Sequence, residues 1–261
     1  DVYKRQVLIM LKKLHRVPWH DMKRIASVGL LLAAHWLFFY GSIKASNVSI
    51  GVVCLSLMSF FTALFEPLIN RHRVSWREML FSLLGVLGIF LIFNFDTRYR
   101  AGIGMGVVSS ALASLFTICN KKVSAGYPAS TMLLYEMGGG FLGLTCILPV
   151  YLYFFPVASI LPAMNDWIYL LLFASVCTVW LYILQIQVLK QISAFTFNLT
   201  YNLEPIYSII GAMILFGEAR DLNFSFYIGL GLIFMSVVLQ SLNVLMQNKK
   251  FTPYIYVKWK R

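Results

Sequence analysis

Eight residues of otherwise apolar sequence, "NLTYNLEP", bring together Asn198, Tyr201, Asn202, Glu204 and Pro205. Carboxamides and a phenol can donate and accept hydrogen bonds to a polar solute. Glu204 can bind a solute amine or carry a proton, and its alternative is a structural acid bonded to a neighbouring helix. Pro205 cannot donate to the carbonyl four residues back, near Tyr201, so it leaves a free acceptor and a bend. That bend suits a hinge, a ligand contact or a static kink.

Other chemically able groups sit in similar surroundings. Ser56, Ser59 and Thr62 recur along "LSLMSFFTALFEPL"; they line a polar path or simply allow close helix packing. His35 and Trp36, with Tyr40 a turn later, interrupt "LLAAHWLFFYG", where a histidine relays protons, binds a solute or packs. Glu136 lies in "LLYEMGGG", and Trp180 and Gln185 lie in "VCTVWLYILQIQ". Each has a packing alternative. Glu66 and Glu218 stand at helix exits and read as interfacial anchors.

Enzyme chemistry has no foothold. There is no HExxH, no Gly-rich phosphate loop after a strand and no Ser/His/Asp set placed at a membrane surface. Cys54, Cys119, Cys146 and Cys177 are isolated within hydrophobic blocks, which points to packing thiols and to neither a metal nor a disulfide framework. No cofactor is expected. A net charge of +12 could suggest nucleic acid, but the basic residues are scattered through short loops and the tail without a recognition stripe.

The elements that hold these groups follow from composition. Of 261 residues, 59% are hydrophobic and 12% charged, and the mean hydropathy is +0.75. A bilayer core of about 30 Å takes about 20 apolar residues per helix. Eight blocks reach that length: 25–43, 47–69, 76–95, 102–120, 128–155, 167–189, 192–216 and 222–246. The expected fold class is therefore an all-α polytopic membrane protein. Val7–Leu11 is apolar but short and reads as the cut end of another helix; Asp1–Gln6 reads as adapter-derived sequence. Sixteen loop and tail cations fall on one side of the membrane, against Lys44, Arg98, Arg100 and Arg220 on the other. The positive-inside bias then places the C-terminus in the cytoplasm.

Two periodicities bear on function. At 100° per residue, the polar and small residues from Ser193 to Ala212 occupy about 200° of one helix, with Phe195, Leu199, Leu203, Ile206, Ile210 and Met213 opposite. A shift of 146 residues also lays Lys44–Leu64 over Lys190–Ile210, an offset that spans five helices. An odd repeat inverts its second copy in the membrane, as in many secondary transporters. On this alignment Ser59 stands where the second copy has Pro205, so a proline pivot would be one-sided.

The segment "NLEPIYSIIGAMILFGE" followed by "IGLGLIFMSVVL" resembles the closing helices of the EamA-type branch of the drug/metabolite transporter superfamily. "LSLMSFFTALFEPL" with "LLGVLGIFLIF", and "LASLFTICNKKV" with "LLYEMGGGFLG", resemble other parts of its two repeats. The resemblance implies two inverted five-helix repeats in a ten-helix fold. Here they would be 7–100, lacking its first helix and most of its second, and 101–248, followed by a cytoplasmic tail at 249–261. It also implies export of a small organic solute, such as an amino acid, by alternating access in a bacterial inner membrane. The partners would be that solute, the lipid bilayer and a coupling proton, with a homodimer left open. The competing expectation is a membrane scaffold or sensor that moves nothing.

Overall fold

A computed structural model describes residues 17–71, 73–95, 99–154, 156, 162–164, 166–201, 204–215 and 224–258. Side-chain surroundings are described for these except 92–95, 199–201, 205, 206, 212, 244, 245 and 247–258. Val7–Leu11, Asn202 and Glu218 lie outside the described residues, as do the side chains of Tyr201 and Pro205.

The described residues form helices and no strand. In chain order these are α1 (Trp19–Ala45), α2 (Val48–Leu55), α3 (Met58–Asn70), α4 (Trp76–Phe95), α5 (Arg100–Ser124) and α6 (Ala129–Phe154). After them come α7 (Asp166–Leu172), a wider π-type turn over Phe173–Trp180, α8 (Leu181–Leu189), α9 (Ala194–Tyr201), α10 (Glu204–Leu215) and α11 (Phe224–Lys258). In hydrocarbon every backbone polar group must be paired, and a helix pairs them within its own segment, which is why long apolar blocks resolve into helices.

Among the described residues each of the eight apolar blocks is helical, and six helical stretches are long and apolar enough to cross a membrane. One block differs from the expected uninterrupted span. Block 47–69 is divided at Ser56–Leu57, where Ser56 N–H donates to the Val53 carbonyl and Leu57 N–H to that of Cys54. These tighter i→i+3 bonds break the α-helical register without a proline. Within block 192–216 the described stretches are α9 and α10, and residues 202–203 between them lie outside the described residues.

Two compact units emerge, one holding Asp1–Ala34 and Phe116–Ser193, the other His35–Leu115 and Ala194–Arg261. In the first unit, α1 and α6 meet through glycines. A Cβ on Gly139 would lie 2.7 Å from the Ala26 Cα, and one on Gly140 would lie 3.1 Å from the Gly29 carbonyl oxygen. Such small residues let backbones approach closely and gain dispersion contacts where lipid supplies no hydrophobic drive. The outward faces of α6 and of the Asp166–Leu189 stretch are apolar and open, Phe141, Leu142, Tyr153, Ile168 and Leu171 among them, as a lipid-facing surface requires.

In the second unit, α4 packs along α11, α2 packs against α10, and α3 against both α9 and α4. Its core joins Ile50, Val53, Cys54, Leu57, Ile89, Ile103, Ile209, Phe226 and Ile233. Gly88 sits against the Gly229 carbonyl, and Ser236 Oγ donates to the Phe81 carbonyl at 2.7 Å.

Candidate functional site: buried polar clusters of the two units

In the second unit the crossing of α3 and α9 carries the strongest polar contact. Thr62 and Asn198 are both fully buried, and Asn198 Nδ2 donates to Thr62 Oγ1 at 2.7 Å. Thr62 Oγ1 lies 2.7 Å from the Met58 carbonyl and 2.8 Å from Ser114 Oγ. A hydroxyl has one proton to give. Thr62 gives it to Met58, so it must accept from Ser114 as well as from Asn198. Asn198 Oδ1 is left buried with no hydrogen-bond partner among the described residues. One turn away, Glu66 Oε2 accepts the Phe195 N–H at 3.3 Å, which ties the exit of α3 to the start of α9.

This crossing has a counterpart. The 146-residue shift carries α2 (Val48–Leu55) onto α9 (Ala194–Tyr201), and the first residue of α3, Met58, onto the first residue of α10, Glu204. Exchanging the two copies turns the α3–α9 packing into the α10–α2 packing, and both occur. Reciprocal packing of this kind is what a pseudo-two-fold relation between the two stretches produces.

The remaining candidates are dispersed. Ser56 Oγ donates to the Val53 carbonyl and Ser59 Oγ to that of Ser56, so both hydroxyls serve their own helix. Glu204 is half-buried at the start of α10. His35 Nδ1 faces Ser109 of α5, 2.8 Å from its Oγ and 3.0 Å from its carbonyl, while its ring stacks on Phe39. Trp36 is half-buried, Tyr40 is exposed and its ring meets Phe39 at a tilt. In the first unit Trp180 is exposed within the π-type turn and Gln185 is half-buried on α8. Phe195, expected on a lipid-like face, is instead buried against Ala63, because α9 lies along α3 there.

Glu136 stands apart in the first unit, wholly buried, with Asn120 Nδ2 donating to its Oε2 at 3.3 Å and to the Tyr182 phenol oxygen at 3.1 Å. The reading from sequence missed Asn120, Tyr182, Ser109 and Ser114. A signal was present for the α5 residues: Ser110, Ser114, Thr117, Asn120 and Ser124 recur at helical spacing and are all buried. Tyr182 carried none, since a tyrosine among leucines also fits a lipid interface.

At the end of this unit that carries the basic loops, Tyr127 donates its O–H to Asp21 Oδ2, and Lys190 Nζ donates to the Tyr127 carbonyl at 2.6 Å. Lys121 Nζ donates to the Ile192 carbonyl. The bond to the Asp21 carboxylate holds the Tyr127 phenol above its ordinary pKa, with smaller contributions from burial and from the Asp21 charge. Among the described residues no group of His, Cys, Asp and Glu is arranged to hold a metal.

Known proteins resemble the chain in both sequence and fold. An uncharacterized transporter of Archaeoglobus fulgidus is 23% identical over 145 residues, 55% of this chain and 51% of that protein. The match thus spans about half the length of that curated relative. A solved crystal structure of another protein superposes with a TM-score of 0.57 at 17% identity, over 87% of this chain and 77% of that one, which is a likeness of fold. The sequence pattern of the EamA-like transporter family matches residues 7–94 and 100–242, nearly the whole length, and the chain belongs to that family.

Proposed function

We propose that the protein moves a small organic solute, such as an amino acid or related metabolite, across a bacterial inner membrane by alternating access, in the outward direction. The observation that carries this reading is the reciprocal packing of α3 on α9 and of α2 on α10, with the buried Thr62–Asn198 bond at one crossing. Broken helices paired across an inverted repeat are where secondary transporters bind their cargo, and interrupted backbone is tolerated at that depth only when it is buried or lines a path. The unpartnered Asn198 Oδ1 supplies an acceptor for a solute N–H.

Two repeats over 7–100 and 101–248 would then rock about this crossing. Ser56, Ser59, Thr62, Asn198, Tyr201, Asn202 and Glu204 would stand near the solute, and Pro205 would serve as a hinge in the second copy. His35, Trp36, Tyr40, Trp180 and Gln185 would contribute aromatic and amide surface from the flanking helices. Direction and membrane come from the family resemblance, and the cytoplasmic C-terminus from the charge asymmetry.

Flux in proteoliposomes against a panel of amino acids and small metabolites tests the reading. The wild-type chain should exchange at least one solute. Thr62→Val and Asn198→Leu should reduce that exchange at least about tenfold, the worth of one charge-free hydrogen bond left unmade in a buried site. Glu204→Gln should alter its pH dependence; an unchanged profile would remove Glu204 from the mechanism. A folded protein that exchanges nothing, and accepts leucine along the polar crossing, is the scaffold or sensor instead.

A further inference from the structure

The buried cluster of the first unit is not used by the α3–α9 crossing, and it is short of a donor. Asn120, near the end of α5, gives its amide to Glu136 Oε2 on α6 and to the Tyr182 oxygen on α8. Among the described residues, Glu136 Oε1 and Asn120 Oδ1 are buried without a partner, and no cation forms an ion pair with the carboxyl. Two oxygens in one cluster are thus left without a hydrogen-bond donor among the described residues. On the side of α1 the two backbones meet closely, and a Cβ on Gly29 would collide with the Glu136 carbonyl oxygen. A buried polar group without a partner costs about 1–3 kcal/mol, and more if it is charged. Native structures hold few such groups, and each calls for an explanation.

We propose that Asn120, Glu136 and Tyr182 form a proton-binding site, with Glu136 taking a proton on Oε1 during the working cycle. The step forms one O–H bond from a carboxylate lone pair and a solvent proton, and reverses when the cluster opens. Protonation removes the buried charge and converts an orphaned acceptor into a donor. Divalent metal cations suit the site poorly, because Mg²⁺ and Ca²⁺ take about six or more oxygen ligands.

The groups around the site leave Glu136 as the titrating member. From α8 it faces the Tyr182 phenol, whose oxygen accepts from Asn120. On α5 the neighbours of Asn120 are Cys119 and Lys121, and the ammonium of Lys121 is bonded to the Ile192 carbonyl. The α1 residues packed against α6, Ala26, Gly29, Leu30 and Ala33, carry no titratable group; Asp21, Lys23 and Arg24 lie nearer its start. Tyr135 adjoins Glu136 on α6 itself, half-buried.

The use of this site as the coupling step rests on the transporter reading, but its existence does not. The test therefore has a readout that needs no solute. The whole chain in phosphatidylcholine vesicles is titrated by infrared difference spectroscopy, wild type against Glu136→Gln, which matches the neutral acid in shape. Wild type should show the C=O band of a neutral carboxyl, absent from Glu136→Gln, that disappears reversibly as pH is raised. Asn120→Leu should move that midpoint by about one pH unit or more. A carboxyl in one protonation state throughout, or a midpoint indifferent to Asn120, overturns the site.

In proteoliposomes given the common amino acids, Glu136→Gln should keep solute counterflow and lose accumulation driven by a pH gradient. Retained pH-driven accumulation, or accumulation that follows sodium alone, overturns the coupling role. If wild type moves none of these solutes, the transporter reading fails for them while the infrared titration still decides the proton site.

Discussion

Thr62 shows how one hydroxyl can organise a helix crossing. Its single proton goes to the Met58 carbonyl, and its two acceptor positions are taken by Asn198 and Ser114, so its capacity is full. Asn198 has no such balance: its Oδ1 is buried without a hydrogen-bond partner among the described residues. Tyr127 offers a sharper sign test. Its phenol is held up by the bond it donates to Asp21, so that tie is intact below the ordinary phenol value of about 10 and is lost as pH rises through the higher folded value. Tyr127→Phe should accordingly lower the melting temperature in detergent at neutral pH, and the gap to wild type should close at strongly alkaline pH. A gap that persists there would assign the effect to packing of the ring.

At the scale of elements, contact between helices depends on where glycine falls. Gly138 and Gly139 are neighbours in α6 with opposite surroundings: a Cβ on Gly138 meets nothing within 4 Å, while one on Gly139 runs into the backbone of Ala26. Gly139→Ala should destabilise the protein by about 1–3 kcal/mol as α1 and α6 are forced apart, whereas Gly138→Ala should be neutral or stabilise by up to about 1 kcal/mol. Thermal unfolding of the two variants side by side checks this, and equal effects would mean that α1 and α6 do not pack this closely. The helices themselves were legible from apolar block length. The division of block 47–69 at Ser56–Leu57 was not legible, because it rests on i→i+3 bonds that no proline or glycine announces.

Over the whole molecule, charge and hydropathy make predictions of their own. With Cys54, Cys119, Cys146 and Cys177 replaced, a cysteine at Lys250 should react with a membrane-impermeant maleimide in inside-out vesicles and stay protected in intact cells. Labelling of intact cells would reverse the orientation inferred from the basic loops. The sequence by itself determined that this chain is helical, that it belongs in a bilayer and to which family it belongs. Those are properties of segments, since each span meets its backbone hydrogen-bonding needs internally and displays its own composition to lipid. Only the tertiary structure decided which polar groups meet: Asn198 with Thr62, His35 with Ser109, and Glu136 with Asn120 rather than with a cation. Partner choice depends on helix register and crossing. Those are set by glycines and small side chains on two helices at once, a joint property that neither segment carries alone.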